Sequence, residues 1–156
     1  MTENSPQAAH PTLDALVNFY QTLSLERLPD LENFYAEKAR FVDPFNDVIG
    51  HAAIRKIFAD MFEKLTAPRF IVTGRFLADP GFESGSQESM LLWQLRFRSR
   101  AMGRDEQSIE GSTRLVFDDE GKVILHRDYW DAAGELYAKI PLLKFPVRLL
   151  SRCLAS

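Results

Sequence analysis

The apolar residues of this chain change their period near residue 66, and that change limits what it can fold into. Before it the spacing is helical. Residues 12–23 place Leu13, Leu16, Val17, Tyr20 and Leu23 along one face, with Thr12 positioned as an N-cap. Residues 24–36 repeat the spacing at Leu25, Leu28, Leu31, Phe34 and Tyr35, and Pro29 is expected to split them into two short helical pieces. A brief strand over 39–43 follows. Residues 51–65 then read as a helix with Ile54, Ile57, Phe58, Met61, Phe62 and Leu65 on one side. Beyond residue 66 the runs 69–78, 89–99, 108–117 and 122–130 are rich in β-branched and aromatic residues and read as strands. Residues 79–87 read as a loop, "AMGRDE" as a hairpin and "DDEG" as a tight hairpin ending in Gly121. Helices followed by a mostly antiparallel meander predict an α+β fold with helices on one face of a curved sheet. Such a sheet leaves a cavity suited to a ligand.

The chain's 156 residues, 46% of them hydrophobic, suffice for one domain with a sizeable core. A formal net charge of -3 gives no general attraction to nucleic acid. The single cysteine, Cys153, excludes an internal disulfide. Residues 1–11 are polar and read as a flexible arm without signal-peptide character. No stretch approaches the roughly 18 apolar residues of a membrane span, so the expected location is the cytoplasm. The organisation expected is that arm, a domain over 12–131, and a basic, apolar helical tail over 132–156. In the tail Lys144, Arg148 and Arg152 recur every fourth residue beside Leu142, Leu143, Phe145, Val147, Leu149, Leu150 and Leu154. These apolar side chains predict a tail folded back on protein, with contact to a membrane surface as the alternative.

Three features could carry chemistry. Asp43 precedes Pro44 where an apolar strand ends, so it is either turn chemistry or a carboxylate delivered to a pocket. Tyr20 lies on the apolar face of the first helix; it is a core residue whose buried hydroxyl needs a partner and could serve a ligand. In "ILHRDYW", alternation puts His126, Asp128 and Trp130 on one face and Leu125, Arg127 and Tyr129 on the other. The pattern by itself leaves open which face is inward. An inward His–Asp pair would be purposeful, since buried ionisable groups are costly unless paired. There is no glycine-rich phosphate loop and no nucleophile elbow. The three histidines lack metal-ligand spacing, so no metal is expected.

The succession "ALVNFYQTL", "ARFVDP", "GHAAIRKIF" and "LVFDDEGKVI" resembles the NTF2-like superfamily, in its ketosteroid isomerase and SnoaL-like branch, over residues 12–131. The resemblance implies a conical α+β barrel with helices on the concave face of a strongly curved sheet. It also implies a deep pocket, a homodimer formed through the sheet and no cofactor. It implies that Tyr20 is an oxyanion donor and that Asp43 is the general base, in apolar walls that would desolvate its carboxylate. Thr113 falls where the family's isomerases carry a second, acidic donor, which argues against steroid isomerisation. The same alignment turns His126, Asp128 and Trp130 toward the pocket, and Ile57, Phe58, Trp93, Leu95 and Phe97 toward its apolar lining. Two functions follow. One is a cofactor-free isomerase, cyclase, dehydratase or hydrolase acting on an apolar small molecule, with Asp43, Tyr20, His126 and Asp128 catalytic. The other is a non-catalytic ligand-binding or interaction domain.

Overall fold

The computed structural model describes residues 11–78 and 87–137, with Ile140, Pro146, Leu149, Arg152 and Cys153 beyond them. The expected arm before Pro11, most of the 79–87 loop and most of the tail beyond Tyr137 lie outside the described residues. Helix α1 (Pro11–Gln21) leads into a 3-10 segment (Leu25–Asn33), strand β1 (Tyr35–Val42), the short strand β2 (Asp47–Ile49) and helix α2 (His51–Lys64). Strands β3 (Thr66–Leu77), β4 (Gln87–Ser99), β5 (Gly103–Phe117) and β6 (Val123–Tyr129) follow, then a single helical turn, α3 (Ala132–Glu135). Among the described residues no helix is long and apolar enough to cross a membrane.

The change of period marks the architecture. The strands form one sheet in the order β2-β1-β6-β5-β4-β3, strongly curved but not closed. All neighbours are antiparallel except β1 and β6, which run parallel. Register shifts interrupt the β3–β4, β4–β5 and β5–β6 ladders. An extra residue in one strand of a pair bends that strand and increases its twist, so these irregularities curl the sheet. Helix α1 packs on β3, and α2 packs on β1 and β3. They fill the concave side with Leu13, Leu16, Phe19, Ile54 and Phe58, against Leu91, Phe97, Leu115 and Phe117 of the sheet. Each such side chain contributes about 1.5–3 kcal/mol when fully buried.

Two local expectations are corrected. Residues 25–33 form one 3-10 stretch that contains Pro29, not two helical pieces. The helical reading also ran too far: Tyr35 opens β1, because the chain there pairs with β6 through Tyr35 and Val123. The backbone N–H of Val123 donates to the Phe34 carbonyl at 2.8 Å. Strand β2 was not foreseen; its three residues fold back on β1, with Val42 opposite Asp47. The "DDEG" turn forms as expected, with Gly121 at φ +78° and its N–H on the Asp118 carbonyl at 3.0 Å.

One glycine shapes the interior. Gly111 of β5 lies opposite Trp93 of β4, and a Cβ there would meet the Trp93 ring at 2.5 Å and the Trp130 Cβ at 3.1 Å. The missing side chain is what allows the indole to lie across the neighbouring strand. Gly111→Ala is expected to lower stability by about 1–3 kcal/mol, the usual range for overpacking. It should also shift the tryptophan emission. Chemical denaturation followed by fluorescence checks both, and an unchanged midpoint and spectrum would refute this account of Gly111.

Candidate functional site

Strand β6 carries the centre of the site. Its register places His126 opposite Leu115 and Asp128 opposite Thr113, both on the inner face, while Arg127 and Tyr129 point outward. A lone ionisable pair would be costly there, so its hydrogen bonds decide whether the arrangement holds. They form a continuous chain. His126 Nε2 lies 2.9 Å from Asp128 Oδ1, which also accepts a short hydrogen bond from the Thr113 hydroxyl. Thr113 in turn accepts the Trp93 indole N–H at 2.7 Å. On the other side of the imidazole, Nδ1 lies 2.7 Å from the Tyr35 hydroxyl and 3.2 Å from that of Tyr20. The two hydroxyls are 2.6 Å apart. A neutral imidazole protonated at Nε2 accommodates the three shorter contacts and leaves the 3.2 Å Tyr20 approach to Nδ1 without a proton of its own. Its Nε2–H donates to the carboxylate, Tyr35 donates to Nδ1, and Tyr20 donates to Tyr35.

The environment fixes the protonation of the phenols. Burial raises the pKa of both Tyr20 and Tyr35, because a phenolate there would lose its hydration; the Asp128 charge adds to the shift in each. Both therefore remain protonated donors across the physiological range. Phe41 covers one face of His126, its ring centroid 4.4 Å away, and Phe41 and His126 are partners across β1 and β6.

Two spaces adjoin this chain. A recess of about 20 Å³, near the volume of a single water, is lined by Tyr20, Thr113, His126, Asp128 and apolar neighbours. A larger cavity of about 420 Å³ is lined by the expected Ile57, Phe58, Trp93, Leu95, Phe97 and Trp130, and by Asp43 and Asp128. Phe58, Phe70, Trp93 and Asp128 border both. Thr113, expected to line the pocket, borders only the recess. The four candidate catalytic residues therefore do not converge on one void: Tyr20 and His126 face the recess, Asp43 faces the cavity, and Asp128 faces both.

Asp43 corrects one expectation. Its Oδ1 accepts the backbone N–H groups of Phe45 and Asn46, each at 2.7 Å. The Asn46 amide adds contacts at 3.0 Å to Oδ1 and 2.9 Å to Oδ2. This is a turn-forming aspartate between β1 and β2. It reaches the cavity wall, but its carboxylate does not stand bare in apolar surroundings. No hydrogen bond among the described residues joins it to Tyr20, His126 or Asp128. Sequence reasoning also missed Tyr35, the closest partner of His126 Nδ1. A signal was present, since Tyr35 shares strand parity with Ala39, Phe41 and Asp43, but the preceding helical spacing absorbed it.

The SnoaL-like domain family matches residues 16–126, which run from α1 into β6. Among solved structures the chain is similar to a candidate SnoaL-like polyketide cyclase from Jannaschia sp. CCS1, at 13% identity and TM-score 0.69, over 86% of this chain and 97% of that one. It is also similar to a protein with a ketosteroid isomerase-like fold from Catenulispora acidiphila, in complex with trimethylamine, at 13% identity and TM-score 0.65, over 88% and 95% of the two chains. A third is an NTF2-like protein of unknown function from Burkholderia pseudomallei, at 12% identity and TM-score 0.66, over 81% and 95%. At such identities the likeness is one of fold. No curated protein sequence matches the chain. With most of the domain covered by the family match and the NTF2-like architecture in place, this chain belongs to the SnoaL-like domain family.

Proposed function

We propose that this protein performs cofactor-free acid–base chemistry on a small, largely apolar molecule held in the larger cavity, with Asp128 exchanging the proton. One observation carries the reading. The Asp128 carboxylate is anchored through Oδ1 by His126 and Thr113, while Oδ2 has no hydrogen bond among the described residues and the side chain, 16% exposed, lines the cavity. A fixed carboxylate with one uncommitted oxygen in a largely apolar wall suits a general base. His126 holds the carboxylate and stabilises its charge, Tyr35 fixes the imidazole tautomer, and Thr113 with Trp93 sets the carboxylate plane. Tyr20 lines the recess with its proton given to Tyr35, so a ligand atom that enters there meets its hydroxyl oxygen as an acceptor. Ile57, Phe58, Leu95, Phe97 and Trp130 supply the apolar grip. Asp43 keeps its turn and contributes charge to the wall.

A second reading is a ligand carrier without catalysis. It is favoured by the wall between the two spaces, since a molecule confined to the larger cavity meets Asp128 but neither Tyr20 nor His126. Proton exchange separates the two. In deuterated buffer, with a panel of aryl ketones and 1,3-dicarbonyls followed by NMR, the protein is expected to speed C–H exchange. Asp128→Asn should lower that rate by about 10²–10⁴-fold, and Asp43→Asn should leave it within a few-fold of wild type. The reverse pattern would transfer the base to Asp43, and binding without exchange would support the carrier.

The tyrosines give a further test. Their raised pKa values mean that the folded state resists ionisation that the unfolded chain undergoes near the ordinary value of about 10. The sign follows: their contribution is complete below about pH 10 and is lost as pH rises above it. In an alkaline titration at 295 nm, a late phase coincident with unfolding is expected. The double variant Tyr20→Phe/Tyr35→Phe should lack it.

The outer sheet face supports a homodimer. Leu92 and Phe76 close over Gly74, and Tyr129 lies on the same row two strands away through Ser112; all three large side chains are exposed. An apolar row on an open sheet suits a two-fold contact. Sedimentation equilibrium at micromolar concentration is expected to give twice 17.8 kDa, and Leu92→Glu should give the monomer.

A further inference from the structure

The charges around the larger cavity are one-sided, and this bears on what it binds. Among its described lining residues are three carboxylates, Asp43, Asp60 and Asp128, against one cation, Lys64. Asp60 is neutralised on its own helix by Lys56 at 2.7 Å and approached by Lys64 at 3.9 Å, and the Lys64 side chain is 72% exposed. That leaves Asp43 and Asp128. Neither forms an ion pair with a lysine or arginine among the described residues; Asp43 is held by amide dipoles and Asp128 by His126 and Thr113.

The rest of the wall is aromatic. Phe70 meets Trp93 edge-on at 5.7 Å, and Phe45 meets Trp130 edge-on at 5.4 Å. All four line the cavity together with Phe41 and Phe58. Aromatic faces carry partial negative charge and attract cations. Two carboxylates without a lysine or arginine partner among the described residues favour a negative interior potential, and a low-dielectric wall amplifies it.

We infer that the cavity takes a cationic amine with an apolar body. The inference rests on the cavity being the ligand site of the proposed function and names the class of molecule. An anion would be repelled by Asp43 and Asp128. A neutral hydrocarbon would gain only from apolar contact. An ammonium group would gain from the carboxylates and the ring faces together, while about 420 Å³ accommodates an apolar body. The chemistry agrees. The Thr113 hydroxyl is committed to Asp128, so it offers no donor to an enolate oxygen. A cationic nitrogen on the substrate would itself stabilise the charge that proton loss leaves on an adjacent carbon.

The test uses three probes of one shape: phenyltrimethylammonium, its neutral isostere tert-butylbenzene, and benzoate. Both tryptophans of the chain line the cavity, so binding is followed by their emission and by calorimetry. The cation is expected to bind at least about tenfold tighter than the neutral isostere, a difference of about 1.4 kcal/mol, with benzoate weakest. Asp128→Asn should narrow the gap to less than about threefold. Should that variant fail to fold, high salt applied to the wild type must weaken the cation and spare tert-butylbenzene. Equal or tighter binding of tert-butylbenzene or benzoate overturns the ligand class and leaves the acid–base reading standing. Failure of all three probes to bind overturns both.

Discussion

The hydrogen-bonded contact between His126 and Asp128 is the constraint around which the interior is organised. Two ionisable side chains on the inner face of a strand are costly unless each polar atom finds a partner. Here the imidazole joins the carboxylate on one side and approaches two phenols on the other, and Thr113, itself held by Trp93, adds a second donor to Asp128 Oδ1. Those partners come from α1, β1, β4 and β5. A one-residue slip of β6 would turn both groups to solvent and bring Arg127 and Tyr129 inward. The network therefore ties the register of β6 to the docking of α1, which brings Tyr20 to the imidazole.

The same network divides the space beneath the helices. Its Tyr20 end closes a recess of about 20 Å³, and its carboxylate end opens on a cavity of about 420 Å³. Phe58, Phe70 and Trp93 stand between them, and Trp93 can lie there because Gly111 has no side chain. In the function we propose, the anchored carboxylate beside an apolar space acts as a minimal acid–base device. It needs no donor beyond those already holding it. The absence of a lysine or arginine partner for Asp43 or Asp128 among the described residues gives the space an electrostatic preference as well as a shape.

The fold was legible because its signals are local. Apolar spacing marked α1 and α2, runs rich in β-branched and aromatic residues marked β3 to β6, and the order of motifs carried the family resemblance. Alternation also grouped His126 with Asp128, which follows from the pleat of any strand. Tyr35 escaped because a local helical pattern outran the helix, and the strand that claims it is defined by pairing with β6, about 90 residues away in sequence. Asp43 was recognised as a fork between turn and base. The branch depended on whether Asn46 and the backbone of Phe45 would turn back onto its carboxylate.

What the sequence determined by itself is most of the elements, the α+β class and the grouping of His126 with Asp128 on one face of β6, because these depend on neighbours a few residues apart. What only the tertiary structure decided is which groups meet. It set the inward register of β6, joined Tyr20 and Tyr35 to one imidazole nitrogen, separated Asp43 from Asp128 and left one carboxylate bordering both spaces. Those contacts bring together residues 15 to 106 positions apart, and their geometry follows from sheet curvature, strand pairing and helix docking acting together.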